Sequence, residues 1–592
     1  MRAFRPRDIF HLRQLDDVAI APDGSAIAYA LIQPDEARKG YTSSIVRLGL
    51  DDGLPRALTR GPHDRKPWYA PDGRHLGFLR HVGGAPQVHL LPLAGGEAQP
   101  LTALREGVDA FAWGPHGRQV AVIAPVGPPG QTARQLFHFE FDRTWRQLSD
   151  DDRDHLYPTF APDGRAIACL LRRADAVQAA IGLVPVDGGP WRLLTPWRAA
   201  WAQPVFAPDG ETLYAFGLGA DGEAALWRLH PGGEDPEQVA KAPWPQALAP
   251  YLCPDASPDV FVTGDGQEVI ALLARGPERV LARCAPASGR WRRDETKGRR
   301  IQAFAATADG ERTALLAGPP DQPPEALLRD ESGRILLRSD HHELFLSDVS
   351  FAPLQPVGAD GPDLLLPLPG GRPAPLVVLL GDLPDRATGN TSSLLAQALC
   401  GRGLAVLRVP LDDARASEAP ADLLARIDRH VAAVRPTRQA VDTSRLGLCG
   451  EGQAGYRALL LLAAGAKVRA AAVFGAATDL VGLWALGHLA EATGLPELAP
   501  PWQQGAAYLE RSPLALADRI DAPLLLVHGL EDDVVPPLQA EELERALRFL
   551  GRGVRRETIP GLGHPPLRRA PLRAQAQVLE LIAGWLGDQL AQ

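Results

Sequence analysis

Residues 21–30 read APDGSAIAYA, and variants of this phrase occur seven times in the first 316 residues. Each copy has a Pro-Asp-Gly turn, or a close variant of one, followed by an alternating apolar run. Proline presets the backbone for a turn, aspartate caps it, and glycine accepts positive φ between two strands. The alternating run that follows predicts a half-buried strand. The third residues of the seven copies are Asp23, Asp72, His116, Asp163, Asp209, Asp265 and Asp309.

The spacing of these copies indicates the architecture. Consecutive copies lie 44 to 56 residues apart, which is the length of a propeller blade built from short strands. Seven regular repeats exceed what a β-sandwich of unrelated hairpins accommodates. We therefore predict a seven-bladed β-propeller of four-stranded blades in residues 1–340, with the N-terminal segment included.

The pattern changes near residue 365. The apolar run PLVVLL at 375–380 is typical of a strand buried in a parallel sheet. Further strands alternate with helical segments as far as an amphipathic helix at 572–590, which indicates a doubly wound, mostly parallel sheet in residues 341–592. The other predicted strands are 404–409, 445–449, 469–474, 523–527 and 556–559, and the other predicted helices are 392–400, 421–434 and 455–463.

The composition excludes several classes of function. Charged residues make up 22% of the 592-residue chain, the formal net charge is −9, and arginine is dispersed, so no nucleic-acid or membrane partner is expected. The sequence has no run of about 18 apolar residues and no apolar stretch behind its charged start, so neither a membrane span nor a secretory signal is predicted. Five scattered cysteines without a CxxC pair predict neither disulfides nor zinc. We expect a cytoplasmic protein without metal or cofactor.

Three loops follow predicted strands, where open parallel sheets place their active groups. They read GLCGEGQAGY at 447–456, HGLEDDVVP at 528–536 and GLGH at 561–564. Their order matches the nucleophile, acid and histidine of an α/β-hydrolase.

These loops resemble the prolyl oligopeptidase family of serine peptidases, nearest its acylaminoacyl-peptidase and dipeptidyl-peptidase branches. The family pattern D-x-x-R-I-G-x-x-G-x-S-x-G-G-Y aligns with DTSRLGLCGEGQAGY at 442–456, and HGxxDxxVP and GxGH match the other two loops. The resemblance implies a propeller joined to an α/β-hydrolase domain. It places the catalytic positions at Gly452, Asp532 and His564, and we expect ligand contacts from Glu451, Gln453 and Tyr456.

The departures from the family pattern concern the chemistry itself. Gly452 replaces the nucleophilic serine, and glycine has no side chain with which to form an acyl-enzyme. The family's HGGP loop reads GDLP at 381–384, and the loop that commonly supplies an oxyanion tyrosine reads PLDDAR at 410–415. Losing a triad serine costs about 10⁶ in kcat, and losing an oxyanion donor costs a further ~10²–10³. We therefore expect a catalytically inactive protein that binds a short peptide or acyl-peptide, or that assembles with an active paralogue or a second copy of itself.

Three alternatives remain open. Cys449 could act as the nucleophile, although its position at the strand end predicts a buried core residue. Glu451 beside His564 could activate water. Gly452 could be an introduced inactivating substitution in an active serine exopeptidase or esterase acting on short peptides or acyl esters, although that would not explain the two altered loops.

Overall fold

The computed structural model describes most of the chain. The described residues are 1–35, 40–128, 132–173, 178–197, 201–219, 223–243, 260–275, 278–294, 298–319, 321–357, 362–367, 372–381, 394–411, 418–434, 440–493, 495, 499–564 and 570–591. Within these ranges, no helix combines the length and the apolar character needed to cross a membrane.

Seven four-stranded antiparallel sheets form the propeller in the described residues, as the repeat predicted. In every blade the repeated turn joins the first strand to the second, and its glycine has positive φ, from 67° at Gly24 to 73° at Gly164. The blades comprise Gln14–Ile20, Ala26–Asp35, Gly40–Gly49 and Arg56–Ala57; Asp64–Tyr69, His75–Val82, Ala85–Pro92 and Gln99–Pro100; Ala110–Trp113, Gln119–Val126, Ala133–Glu140 and Trp145–Gln147; Arg153–Phe160, Ala166–Arg173, Ala179–Pro185 and Arg192–Leu193; Val205–Phe206, Leu213–Leu218, Ala224–Leu229 and Glu237–Lys241; Val260–Val262, Val269–Arg275, Glu278–Ala285 and Arg290–Arg293; and Arg300–Ala306, Thr313–Gly318, Glu325–Arg329 and Ile335–Arg338.

Side chains close the propeller ring between its first and last blades. Tyr29 of the first blade and Leu328 of the seventh are both fully buried in one apolar cluster. Arg312 Nη1 donates to the carbonyl of Gly24 at 3.0 Å, which joins the repeated turns of the two blades. Among the described residues the two blades share no strand, so side-chain packing and hydrogen bonds such as this one hold the ring closed.

The second domain contains an eight-stranded sheet in the order β1-β2-β4-β3-β5-β6-β7-β8. The strands are β1 (Leu354–Pro356), β2 (Asp363–Leu365), β3 (Ala374–Leu380), β4 (Ala405–Val409), β5 (Val441–Glu451), β6 (Ala470–Phe474), β7 (Leu524–Gly529) and β8 (Val554–Ile559). The pairs β1–β2 and β2–β4 are antiparallel, and every other neighbouring pair is parallel. This is the mostly parallel sheet that the apolar runs predicted, in the α/β-hydrolase domain that the resemblance implied.

Helices cover both faces of this sheet, and an apolar core lies on each side of it. The helices are α1 (Glu343–Asp348), α2 (Leu394–Gly401), α3 (Pro420–Val434), α4 (Gln453–Ala463), α5 (Leu480–Leu486), α6 (Leu489–Thr493), α7 (Pro501–Leu509), α8 (Leu538–Phe549) and α9 (Leu572–Ala591), with 3-10 helices at Pro6–Phe10 and Ala517–Arg519. The predicted helices correspond to α2, α3, α4 and α9. Strands β1 and β2 and helices α1 and α5–α8 were not predicted.

The N-terminal segment packs with the second domain, whereas we had assigned it to the propeller. Arg2–Ala3 pairs in parallel with Val349–Ser350, and Phe4 stacks on Phe351 with ring centroids 5.5 Å apart. Phe4, together with Ile9 and Leu12, lies in the same core as helices α2 and α9. These apolar side chains therefore belong to the α/β core, and the blades begin at Gln14–Ile20.

The two connections between the domains lie side by side. The ring Nε2–H of His342 donates to the carbonyl of Arg13 at 2.9 Å, and the backbone N–H of His342 donates to Glu325 Oε1 at 3.0 Å. Arg13 precedes the first blade and His342 follows the last one, so the chain enters and leaves the propeller at one place.

We expect Phe4→Ala to destabilise the protein by about 3–5 kcal/mol, because it empties a fully buried position in the α/β core. The measurement is the urea dependence of unfolding followed by circular dichroism. Phe549→Ala is the matched control, since Phe549 is 90% exposed on α8, and its effect should stay within about 0.5 kcal/mol. Equal losses in the two variants would show that the N-terminal segment is not part of the core.

Candidate active site

Gly452 forms the whole turn between strand β5 and helix α4. Its backbone has φ 56° and ψ −121° at the N-cap of α4, a conformation that glycine adopts readily and that strains other residues. Its N–H donates to the carbonyl of Phe474 at 2.8 Å, and its carbonyl accepts from the N–H of Tyr456 at 2.9 Å. The sharp strand-to-helix turn that the resemblance to a nucleophile elbow predicted is therefore present, and a glycine stands at it.

Close backbone contacts surround this elbow. A Cβ on Gly450 would lie 2.5 Å from the carbonyl oxygen of Ala454, and one on Gly455 would lie 3.0 Å from Cβ of Ala476. A Cβ on Gly381, at the end of β3, would lie 2.5 Å from Cβ of Ala454, and Gly381 has φ 68°. Glycine at these positions lets β5, α4 and the loop after β3 approach one another.

Asp532 and His564 form the acid–histidine pair that the sequence predicted. The Nδ1–H of His564 donates to both carboxylate oxygens of Asp532 at 2.9 Å, because an ionised carboxylate can only accept. This tautomer leaves Nε2 as the proton-accepting nitrogen, as in a catalytic triad. The hydrogen bond that a base and its orienting acid would need is thus present between His564 and Asp532.

Asp532 is further held by its own loop. Its Oδ1 accepts from the N–H groups of Val534 at 3.1 Å and Val535 at 2.8 Å. The Nε2–H of His528 donates to the Val535 carbonyl at 2.7 Å and lies 3.5 Å from Asp532 Oδ2, so His528 braces the loop. Burial alone would raise the pKa of Asp532, but hydrogen bonds from His528, His564 and the Val535 backbone lower it to about 2.

The backbone joins the acid loop to the histidine loop. Glu531 donates its N–H to the carbonyl of Leu562 at 3.0 Å, and Leu530 donates to that of Ile559 at 3.0 Å. Strands β5 to β8 are parallel, so the elbow and both of these loops leave the same edge of the sheet. We also expect the ring of His564 to face Gly452, because the order of these loops is that of a catalytic triad.

The residues expected to contact a ligand differ in their surroundings. Glu451 is half-buried at the end of β5, and Gln453 is exposed at the start of α4. Tyr456 is fully buried, and its hydroxyl donates to the carbonyl of Arg511 at 3.0 Å. The buried ring packs α4 against its neighbours, and this burial also raises the pKa of Tyr456. Contact of the three residues with a ligand stays a prediction.

Only the first residues of the two altered loops are described. Residues 382–384 and 412–415 lie outside the described residues, so the expected loss of oxyanion donors stays a prediction. Leu411 Cδ1 lies 3.6 Å from where a Cβ on Gly381 would stand, so both loops start beside the first turn of α4.

Two arginines that no sequence motif marks contact the described residues on either side of residues 412–417. Arg426 on α3 pairs with the carboxylate of Glu418 at 2.9 Å, and its Nη1 donates to the carbonyl of Pro410 at 3.4 Å. Arg457 on α4 donates to the Glu418 carbonyl at 2.6 Å. On sequence alone these residues resemble ordinary solvated helix positions. They fix both ends of the segment that contains the predicted oxyanion loop.

Cys449 is fully buried within β5, with Leu379 and Ala472 as its neighbours in the adjoining strands. The expectation of a core cysteine is confirmed.

Comparison with known sequences concerns the second domain. The sequence model of the prolyl oligopeptidase family matches residues 429–592. An uncharacterized peptidase of Bacillus subtilis (strain 168), YuxL, is 29% identical over 208 residues, which are 35% of this chain and 30% of that protein. The match thus spans less than a third of the curated relative. The C-terminal part of the chain carries the sequence signature of the prolyl oligopeptidase family.

Solved structures match nearly the whole chain. An uncomplexed acylaminoacyl peptidase of Pyrococcus horikoshii aligns with a TM-score of 0.78 and 16% identity over 99% of this chain and 98% of that one. A puromycin-hydrolyzing peptidase of Mycobacterium tuberculosis aligns with a TM-score of 0.76 and 20% identity over 100% and 96%. These likenesses show the shared fold of propeller and α/β-hydrolase domain.

We expect Asp532→Asn to lower the free energy of unfolding at neutral pH, and the difference from the wild type to shrink as the pH falls from about 5 to about 2. A folded pKa of about 2 lies below the unfolded value of about 3.9, so the carboxylate stabilises the fold above pH 4 and loses this effect on protonation. Urea titrations at several pH values measure the difference. Asp533→Asn, at the exposed neighbouring position, is the control; a pH-independent deficit in Asp532→Asn would contradict the prediction.

We expect Gly452→Ala to destabilise the protein by about 1–3 kcal/mol, because alanine must adopt the strained elbow backbone. Gly505→Ala on α7 is the matched control, since Gly505 is exposed and its Cβ would meet open space; it should leave stability unchanged or slightly raised. Thermal unfolding compares the two. A stabilised Gly452→Ala would mean that the elbow backbone is not strained.

Proposed function

We propose that this chain is an inactive member of the prolyl oligopeptidase family, which binds a short peptide or acyl-peptide without cleaving it through an acyl-enzyme. The observation that carries the proposal is Gly452 at the elbow of a domain that retains the hydrogen-bonded Asp532–His564 pair. The family match over residues 429–592 supports the assignment.

The chemistry of acyl transfer explains why the absence of a serine oxygen at residue 452 matters. In a serine hydrolase the histidine takes a proton from the serine oxygen as that oxygen attacks the carbonyl carbon. His564 is oriented for this transfer through Nδ1, but Gly452 supplies no oxygen to attack. The loss of a triad serine costs about 10⁶ in kcat, which removes any useful acyl transfer.

The proposed ligand class rests on the shared two-domain architecture. The solved structures with this fold include proteins named acylaminoacyl peptidase and puromycin-hydrolyzing peptidase, and the first of these names describes action on acyl-aminoacyl groups. Glu451 and Gln453 flank the elbow where such a ligand would lie. Tyr456 would support binding indirectly, by packing α4. An active paralogue or a second copy of the chain is the proposed assembly partner, in the cytoplasm and without metal or cofactor.

The retained base favours one alternative. Asp532 orients His564. Burial alone would raise the pKa of Asp532, but several hydrogen bonds outweigh it and keep that pKa low, which a working hydrolase needs as well. In this alternative the protein hydrolyses short peptides or acyl esters with water that is activated by His564 or by Glu451. Gly452 would then be either compatible with that chemistry or an introduced substitution.

We expect no labelling of the protein by a fluorophosphonate probe and no hydrolysis of aminoacyl-nitroanilides above background, because both need a serine oxygen at residue 452. Gly452→Ser should recover labelling weakly or not at all, because the altered loops at 381–384 and 410–415 are expected to lack oxyanion donors. Gel fluorescence and absorbance at a fixed protein concentration measure the two reactions.

The controls separate the alternatives. Strong labelling of Gly452→Ser, lost again in Gly452→Ser/His564→Ala, would show an intact oxyanion site and an active ancestor. Turnover by the unmodified protein that His564→Ala abolishes would support water activation. Turnover that survives His564→Ala would place the chemistry elsewhere and reject the proposal.

A further inference from the structure

A buried cluster of charged residues lies at the junction of the two domains, away from the elbow. Arg300 begins the innermost strand of the seventh blade, Arg300–Ala306, and Asp363 begins β2. Arg408 lies on β4, directly opposite Asp363 in the antiparallel register. These three residues are only 4%, 1% and 3% exposed. The cluster therefore joins propeller to hydrolase through buried charge.

One carboxylate serves two arginines here. Arg300 Nη2 donates to Asp363 Oδ1 at 2.9 Å and to Oδ2 at 3.1 Å, and Arg408 Nη1 lies 3.9 Å from Oδ2. A guanidinium carries N–H groups on all three nitrogens, and Asp363 engages only one nitrogen of Arg300. Within the described part of the chain, Nε and Nη1 of Arg300 donate to no acceptor.

A second orphaned group stands two residues along the same strand. Gln302 is 3% exposed, and neither its amide nitrogen nor its amide oxygen has a partner among the described residues. It is the extra residue of a bulge between Ile301 and Ala303. Its backbone carbonyl accepts from Arg279 Nη1 at 2.5 Å, so a further guanidinium lies against this strand.

Buried N–H groups of a charged side chain are costly to leave without an acceptor. A neutral acceptor would accept a hydrogen bond from Arg300 but would not balance the positive charge of its guanidinium. An oxyanion satisfies both, because its oxygens match the planar donor array of a guanidinium, and a carboxamide N–H can donate to the same group.

We propose that Arg300 and Gln302 hold a small oxyanion, such as a phosphate or a carboxylate, at the junction of propeller and hydrolase. The site requires neither the elbow nor a peptide, so it goes beyond the proposed function and does not depend on it. An anion bound there contacts residues of the seventh blade beside an aspartate of the hydrolase sheet, and so strengthens the contact between the domains.

The test is thermal unfolding of the full chain in inorganic phosphate and in sodium chloride of equal ionic strength. Each sample is first unfolded and refolded in its own salt, so that a closed site can fill. We expect phosphate to raise the Tm with a saturable concentration dependence, as a ligand of the native state does. Arg300→Met should abolish that dependence or raise the apparent Kd about tenfold or more.

Arg329→Met is the matched control, because Arg329 is a buried arginine of the same blade whose Nε donates to Thr313 and whose Nη2 pairs with Asp294. It should lower the Tm and keep the phosphate response. If Arg300→Met does not fold, Arg300→Lys and Gln302→Leu replace it, since lysine keeps a charge for Asp363 but lacks the extra N–H groups. Both should weaken the phosphate response.

The outcomes are distinct. A phosphate effect that does not saturate, or that persists unchanged in the Arg300 and Gln302 variants, overturns the proposal, because general salting-out stabilises all variants alike. Acetate in place of phosphate shows whether a carboxylate suffices. A short peptide with a free C-terminus, compared with its amide, shows whether the anion belongs to a peptide; equal responses to the two assign the site to free anions.

Discussion

The close approach of strand β5 to helix α4 is the constraint on which the second domain depends. Ala454, in the first turn of α4, leaves room for only a glycine at Gly450 and at Gly381. The position of Ala454 therefore determines where the loops after β3 and β5 begin. Glycine at residue 452 adopts this turn without the strain that a residue with a side chain would carry there.

The acid–histidine pair has a structural role that does not require catalysis. The carboxylate of Asp532 ties together the N–H groups of its own loop, the His528 ring beside it and the histidine loop. The low pKa of Asp532 means that folding favours its ionised form, which is a stabilising contribution at neutral pH. The fold alone is therefore a sufficient physical reason for the Asp532–His564 pair, because removing either residue leaves polar groups of the loops without partners.

Local sequence signals predicted the repeated units well and the contacts between distant segments poorly. The Pro-Asp-Gly turns predicted seven blades because turn chemistry is local, and the amphipathic period at 572–590 predicted α9. Helices α5 to α7 are short and lack a full periodic face, whereas α8 does have apolar residues at Ala540, Leu543 and Leu547, a signal that was overlooked.

The three site loops followed strands as expected. By contrast, two contacts join residues that lie far apart in the chain, namely Phe4 with Phe351 and Arg300 with Asp363. No local sequence pattern marks such partners.

The placement of the N-terminal segment makes the propeller an insertion within the α/β domain rather than a module joined end to end with it. The chain crosses between the domains twice, and both crossings meet at the hydrogen bond between His342 and Arg13. The two tethers lie at one place, and the Arg300–Asp363 pair is a further contact across the junction, so together they restrict how the domains can move relative to each other. Any widening of the gap between propeller and hydrolase that admits a molecule must therefore leave both tethers in place.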